Sequence, residues 1–351
     1  MRWFSSKKAS RLPVKRIPEK DIAMGCRVRL ARNLREYVFP DRATPLQRTA
    51  VWDNVRQAVE KEDAHYSFLP IDELPEEMRL LAHESRLISK EFMEGESGAG
   101  LVVAKEGSVS AMVNEEDHLR IQGFAPHMDI EDAWSKVDAF DSKLDAHLQY
   151  AWTPRLGYLT ACPSNLGTGM RVSVMVHLIG LRIVGDLDAA IRGLERMRLL
   201  VRGIYGEGSD PSGQIFQISN MDTLGMDEQA ILTRMRRICE ELIRQERNAR
   251  ARIISESPLI VEDILTRALR LLQCARLMPS GEAMELLSAL RFGASVGLLV
   301  GLTVAEIDCL MVTVQPAHLQ QKLATSLSPE QRDECRAVFL NTQLANAYLK
   351  R

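Results

Sequence analysis

In the segment GCRVRLARNL, residues 25–34, Arg27 and Arg29 stand two positions apart. On extended backbone, side chains alternate, so these guanidinium groups share one face while Val28 and Leu30 take the other. Paired planar forks form a clamp for a polyphosphate; a solvated strand edge would look the same. A second segment, SVSAMVNEEDHLRIQGF (108–124), runs an apolar stretch into Asn114, Glu115, Glu116, Asp117, His118 and Arg120. Three adjacent carboxylates repel one another unless a cation is close. Glu116, His118 and Arg120 have the parity to face one way on an extended chain. Flanking apolar residues favour partial burial over a charged turn.

The third segment, YLTACPSNLGTGMRVSVMVHL (158–178), puts Cys162 at the end of a predicted strand beside a glycine loop. Nearby cations would make it a reactive thiolate; a buried structural cysteine is the equal alternative. On the following strand Arg171, Ser173, Met175 and His177 share a face, and His177 reads as a satisfied core or surface histidine. The fourth, VRGIYGEGSDPSGQIFQISN (201–220), has four glycines and a proline between ordered elements, with Arg202 at its entrance and Glu207 inside. Such a loop can close over a substrate. Neither a G-x-x-x-x-G-K-[ST] loop, a dinucleotide fingerprint nor an H-R-D signature is present.

These segments need a scaffold. The chain has 351 residues, 46% of them hydrophobic, which suits two globular domains. Its 45 basic and 47 acidic residues leave no global field pointing to nucleic acid or membrane. Cys26, Cys162, Cys239, Cys274, Cys309 and Cys335 are dispersed, which argues against a disulfide framework or a zinc site and for a reducing cytoplasm. Apolar spacing predicts helices over 45–64, 72–93, 129–151 and 184–201. Strands are predicted over 101–104, 108–114, 156–162, 171–178 and 214–220. From about Asp227 the pattern turns almost wholly helical, over 227–255, 259–277, 281–291, 302–313 and 328–348. The expected organisation is a basic N-terminal tail (1–20), an α+β catalytic domain (21–255) and an all-helical domain (256–351).

RVRLARNL, NEEDHLRIQ, CPSNLGTGMRVSV and RGIYGEGS, in this order, resemble the signature segments of the phosphagen (guanidino) kinases, over nearly the whole chain from Arg27. The resemblance implies a mostly antiparallel sheet flanked by helices and phosphoryl transfer from ATP, with Mg²⁺, to a guanidine. It implies an ATP site made of Gly25, Cys26, Arg27, Val28, Arg29, Arg86, Arg120, Arg171, Val172, Ser173, Val174, Met175, Arg202, Gly203, Ile204, Tyr205, Gly206 and Glu207. Glu116 and Glu207 would grip the guanidine and accept its proton, with Cys162 as a third negative contact. Two departures stand out: Gly25-Cys26 where the family usually has Ser-Ser, and Arg86 where it commonly has a histidine.

Two features are similar to the protein-arginine branch. Only 26 residues precede Arg27, where kinases of small guanidines carry a helical domain. RDECRA (332–337) is similar to the branch's phosphoarginine-binding motif, implying an allosteric site at Arg332, Asp333, Arg336 and Ala337; spacing alone also fits a solvated helix face. The resemblance further implies protein substrates with exposed arginines, a homodimer or higher oligomer, and as partners a stress-response repressor, a Clp-type unfoldase and a small zinc-binding activator. The rival readings are a kinase of free arginine or another small guanidine, a non-catalytic phosphoarginine-binding protein, and a nucleic-acid binder using the basic tail.

Overall fold

The computed structural model describes residues 18–62, 65–203 and 212–350. Its centre is an eight-stranded sheet, antiparallel throughout, in the order β2-β3-β4-β5-β1-β8-β10-β9. The strands are β1 (Ala23–Arg32), β2 (Tyr66–Pro70), β3 (Gly100–Ala104), β4 (Val109–Val113), β5 (Leu119–Pro126), β8 (Met170–His177), β9 (Leu199–Gly203) and β10 (Ile215–Asn220). A short ribbon, β6 (Trp152–Thr153) with β7 (Gly157–Tyr158), stands outside it. The expected mostly antiparallel sheet with flanking helices is borne out.

Alternation along β1 sorts the residues as the sequence implies. Val28 and Leu30 are fully buried on one face, while Arg27 and Arg29 are half-buried on the other. The apolar face is packed by α1 (Pro45–Glu62), α3 (Ile130–Asp145) and the long α6 (Glu228–Glu256) in one continuous core. Two short helices, α4 (Ile179–Val184) and α5 (Leu187–Arg196), follow β8, and α4 lies on α6. There the approach is so close that a Cβ on Gly180 would come within 2.8 Å of Arg250 Cγ, so glycine is needed.

After α6 the chain forms α7 (Pro258–Cys274), α8 (Ser280–Ser295), α9 (Val304–Thr313), α10 (Pro316–Leu323) and α11 (Pro329–Leu344), with a ribbon of β11 (Leu299–Val300) and β12 (Tyr348–Leu349). Their starts are chemically marked. Thr303 with Glu306 and Ser328 with Gln331 form capping boxes, and proline opens α7, α10 and α11. The second core under these helices includes Met175 and Ile215 of the sheet.

A buried polar knot pins α8 to the end of β8. His177 Nε2 lies 2.8 Å from Ser288 Oγ, and its Nδ1 faces Arg250 and Arg291 at 3.1 and 3.3 Å. Arg250 also binds Glu246, and Arg291 binds Asp308 and the carbonyl of Asp21. Burial first, then Arg291 and Arg250, push the imidazole well below its usual range. It is therefore a neutral acceptor in the core.

Several predicted elements differ. The helix expected over 72–93 is α2 (Glu76–Glu84), stopped by Arg86 in the left-handed region at φ 61°, then a 3-10 turn at Glu91–Glu94. The 129–151 helix stops at Asp145, and the strand expected over 156–162 is regular only at Gly157–Tyr158. The 184–201 helix splits. Arg198 at φ 57° breaks the chain after α5, and Leu199–Gly203 joins the sheet beside β10. Similarly, 328–348 ends as helix at Leu344, and α4 and α10 were not foreseen. Among the described residues no helix is long and apolar enough to cross a membrane.

Candidate active site

Strand register assembles the site. Arg29 pairs across β1–β8 with Arg171 and across β1–β5 with Gln122, so Arg120, two residues before Gln122, shares that face. Arg27 pairs with Ser173, Met175 with Gln217, and Gln217 with Arg202. Directly paired residues project to the same side. Four strands, β5, β1, β8 and β9, therefore raise Arg120, Arg27, Arg29, Arg171 and Arg202 from the face opposite α3 and α6, with Gln217 of β10 between Met175 and Arg202.

Neutral amides brace this row. Arg27 donates to Gln122 Oε1 at 3.5 Å and Gln217 Oε1 at 3.3 Å, and Arg171 donates to Asn165 Oδ1 at 3.5 Å. None of the three amides brings charge. Burial, then Arg86, Arg120 and Arg171, push Arg27 down to about 9. Burial with Arg27, Arg120 and Arg171 holds Arg29 well below its ordinary value. Arg171 is lowered by burial, Arg120 and Arg202, opposed by Cys162 and Glu116. Buried Nε atoms of Arg29 and Arg171 have no hydrogen-bond partner. Crowded cations with unused donors are chemically complete only with a polyanion among them.

The acidic turn lies beside this row, with its three carboxylates separated by role. Glu115 is half-buried, with a side chain 8% exposed; it accepts from Ser89 Oγ at 2.6 Å and pairs with Arg120. Asp117 is fully buried and accepts from Asn33 Nδ2 at 2.6 Å and the Ala161 N–H at 2.7 Å. Glu116 is exposed, and its charge acts on both Arg120 and Arg171. Asp117 thereby ties the turn to the loop carrying Cys162, whose Sγ lies 3.1 Å from Ser164 Oγ and which lies close enough to Arg171 to interact with it. Arg32 supports the loop from beneath, stacked 3.5 Å from the Tyr158 ring and bonded to Asp141 and the Thr168 carbonyl.

Burial alone would push the Glu115 carboxyl up, but Arg120, the Ser89 hydroxyl and the Glu116 N–H outweigh it and hold it below the usual carboxylate range. A depressed folded-state value contributes stability above the unfolded value that is lost as pH falls through the folded one. Glu115→Gln is therefore expected to lose less melting temperature on acidification than the wild type, by calorimetry across pH 3–7 (a range spanning the roughly pH 4 carboxylate values). Parallel curves would remove Glu115 as a source of that slope.

The structure brings Arg27, Arg29, Arg120, Arg171 and Arg202 onto one face with Gly25, Ser173 and Met175, and places Arg86 against Met175 at its edge. Gly203 is buried beside Arg202. Ile204, Tyr205, Gly206 and Glu207 lie outside the described residues. Cys26, Val28, Val172 and Val174 require correction as site side chains. Their parity turns them to the helix-packed face, where all four are buried. Cys26 donates to the Ala125 carbonyl, and burial followed by Asp129 pushes its thiol up to about 12. His118 does not join Glu116 and Arg120 either. The strand starts only at Leu119, and the ring is buried between the Leu34 N–H and the Val38 carbonyl. Asn33, Asp117, Gln122 and Gln217 support the site without having been singled out as site residues; the D in NEED and the parity of Gln122 with Arg120 were the available signals.

In the helical domain Arg332 and Arg336 share α11, but they are not equivalent. Arg336 is buried and donates to the carbonyls of Val314 and Met278, each at 2.7 Å, and to Asp333 at 2.6 Å. Arg332 is only half-buried and reaches the Leu327 carbonyl at 3.5 Å. Ala337 is packed into the second core.

Residues 50–249 match the ATP:guanido phosphotransferase C-terminal catalytic domain, and residues 258–350 match the protein-arginine kinase McsB C-terminal domain. The chain is 37% identical over 330 residues to a protein-arginine kinase of Halothermothrix orenii, covering 93% of this chain and 94% of that one. It is equally identical over 330 residues to one of Halalkalibacterium halodurans, covering 93% of each. Among solved structures, a lombricine kinase superposes with a TM-score of 0.59 at 24% identity over 70% of this chain and 71% of that chain. The duplicated taurocyamine kinase of Schistosoma mansoni, with bound transition-state analogue components, gives 0.57 at 21% identity over 74% of this chain and 38% of that one. At these identities the two structures bear on the fold alone.

Proposed function

The chain belongs to the ATP:guanido phosphotransferase family, in its protein-arginine kinase branch, and from that premise we propose how its residues divide the reaction. The protein transfers the γ-phosphoryl group of ATP to arginine side chains of other proteins. Arg27, Arg29, Arg120, Arg171 and Arg202 hold the phosphates, with Arg86 at the edge of the row. Mg²⁺ would enter with ATP as part of the substrate and would supply further neutralisation of the phosphate charge beside these arginines. The observation that carries this reading is the row of crowded guanidiniums in which Arg29 and Arg171 each keep a buried, unpartnered Nε.

Phosphoryl transfer needs alignment and charge neutralisation. The acceptor supplies the difficulty, because a protonated guanidinium has no free lone pair on the attacking nitrogen and gives up its proton only above about pH 12. Glu116 is the one carboxylate of its turn not engaged by the scaffold, since Glu115 holds Arg120 and Asp117 holds the Cys162 loop. Glu116 orients the acceptor nitrogen and takes its proton as the N–P bond forms and the bond from phosphorus to the ADP oxygen breaks. Glu207 is proposed as its counterpart across the guanidine. Cys162 adds negative character against the acceptor, stabilised by Arg171.

The test is phosphate transfer from labelled ATP to an arginine-rich protein, with free arginine in parallel, read at neutral pH by mass spectrometry for an acid-labile N–P bond. Protein phosphate with little on free arginine is expected. Cys162→Ala should reduce turnover about tenfold, as fits loss of one charged contact worth roughly 1.5 kcal/mol. Transfer confined to free arginine would support the small-guanidine alternative.

The helical domain extends the proposal to regulation. A phosphorylated guanidine would bind at Arg332, Asp333, Arg336 and Ala337, with Asp333 taking the guanidine and the two arginines the phosphate. Arg336 would then partly exchange its bond to Asp333 for the ligand. From the family resemblance, we also propose a homodimer or higher oligomer, a cytoplasmic role in stress response and protein quality control, and as partners a stress-response repressor, a Clp-type unfoldase and a small zinc-binding activator.

A further inference from the structure

Glu84 ends α2, yet its carboxylate faces away from water, with a side chain only 6% exposed. It accepts from the Ala317 N–H at 2.9 and 3.1 Å and from the His318 N–H at 3.1 Å, and lies 2.8 Å from His318 Nδ1. Ala317 and His318 belong to the first turn of α10. Pro316 has no N–H to satisfy, and Gln315 makes no side-chain cap. A carboxylate there satisfies orphan amides and meets the positive end of the helix dipole. Glu84 thus caps a helix that begins more than two hundred residues later. Its neighbour Ser85 adds a second tie, with Oγ 3.3 Å from His318 Nε2.

The next residue is Arg86, left-handed at φ 61°. A non-glycine residue there is held by its surroundings. On the sheet side, Gln122 Nε2 donates to the Arg86 and Leu87 carbonyls at 3.2 and 2.8 Å, while Gln122 Oε1 accepts from Arg27. On the other side stand Glu84, Ser85 and α10. The turn is clamped between the phosphate row and the helical domain, and the Arg86 guanidinium emerges against Met175, close enough to Arg27 to depress it.

We propose that Glu84 is a positioning residue for the nucleotide: by fastening the end of α2 to the first turn of α10, it holds the Arg86 turn against the phosphate row, so that the helical domain takes part in ATP binding. This rests on the reading of Arg86 as a nucleotide contact. The clamp is a built joint, in which two backbone amides and one imidazole of α10 meet the carboxylate of Glu84 and the hydroxyl of Ser85.

The test is a double-mutant cycle on the full chain. Glu84→Ala should raise KM for ATP about tenfold, the effect of losing a buried cap, with kcat and KM for the acceptor protein within about twofold. Arg86→Ala should raise KM for ATP by at least as much, and the double variant should be no worse than Arg86→Ala alone. His318→Ala, which leaves the Glu84-to-backbone bonds in place, should give a smaller rise of about threefold, on the order of one neutral hydrogen bond, and guards against Glu84→Ala failing to fold. Full additivity of Glu84→Ala and Arg86→Ala would overturn the clamp. So would equal losses in every kinetic constant, or an unchanged KM for ATP in His318→Ala. If Arg86→Ala itself leaves KM for ATP unchanged, the nucleotide role of Arg86 falls too. If it raises KM and Glu84→Ala does not, only the clamp falls.

Discussion

Glu116→Gln is expected to lower kcat by about a thousandfold, within the usual range for removing a general base, while leaving ATP affinity intact. The carboxamide keeps the shape of the side chain and can still meet one acceptor N–H. It cannot take the proton that must leave as nitrogen attacks phosphorus. Glu116 is exposed, so its replacement disturbs no packing, unlike that of buried Asp117 or of Glu115, which pairs with Arg120. The charge of Glu116 acts on Arg120 and Arg171. Removing it leaves the row more positive, so ATP should bind as tightly as before or slightly more tightly. That opposite sign separates a catalytic loss from general damage. Single-turnover transfer and equilibrium ATP binding measure the two quantities. Turnover within tenfold of wild type would end the assignment, and a parallel loss of ATP affinity would put Glu116 among the nucleotide contacts.

What could be read before the fold was known followed from local rules. The parity of Arg27 and Arg29 set against Val28 and Leu30 correctly divides the two faces of β1, because alternation is a property of any extended chain. The same rule fails at His118, since the chain turns between Asn114 and Leu119 and parity has no meaning across a turn. It also governs Cys26, Val172 and Val174, which alternation turns toward the helices although they lie within the family segments. Leu199–Gly203 was unreadable for another reason. Leu-Leu-Val-Arg continues the helical pattern of α5, and only pairing with β10, a non-local contact, makes it a strand. The joint at Glu84 was beyond any local pattern, because its acceptor and donors lie more than two hundred residues apart.

Arg29→Met should make the free protein more heat-stable and nearly abolish its response to ATP. Arg29 sits between β5 and β8, opposite Arg171 and Gln122, with buried Nε unpaired. At an effective dielectric of about 20, two guanidiniums about 6 Å apart repel by on the order of 3 kcal/mol. Glu115 offsets this chiefly for Arg120, which carboxylates raise above its ordinary value while Arg29 is held far below its own. The row is thus an electrostatic strain held in place by the sheet, as functional sites often are. Methionine keeps length and fills the same space without charge. Relief of part of the repulsion, about 1–2 kcal/mol net, should raise the apo melting temperature by roughly 1–3 °C for a chain of this size. The polyphosphate loses a buried charged donor, which costs about 2–5 kcal/mol and weakens ATP binding on the order of a hundredfold or more. Calorimetry with and without Mg-ATP reads both effects, because a ligand stabilises only in proportion to its occupancy of the native state. An apo variant that melts below wild type would deny the strain, and an undiminished ATP shift would place the phosphates elsewhere on the sheet.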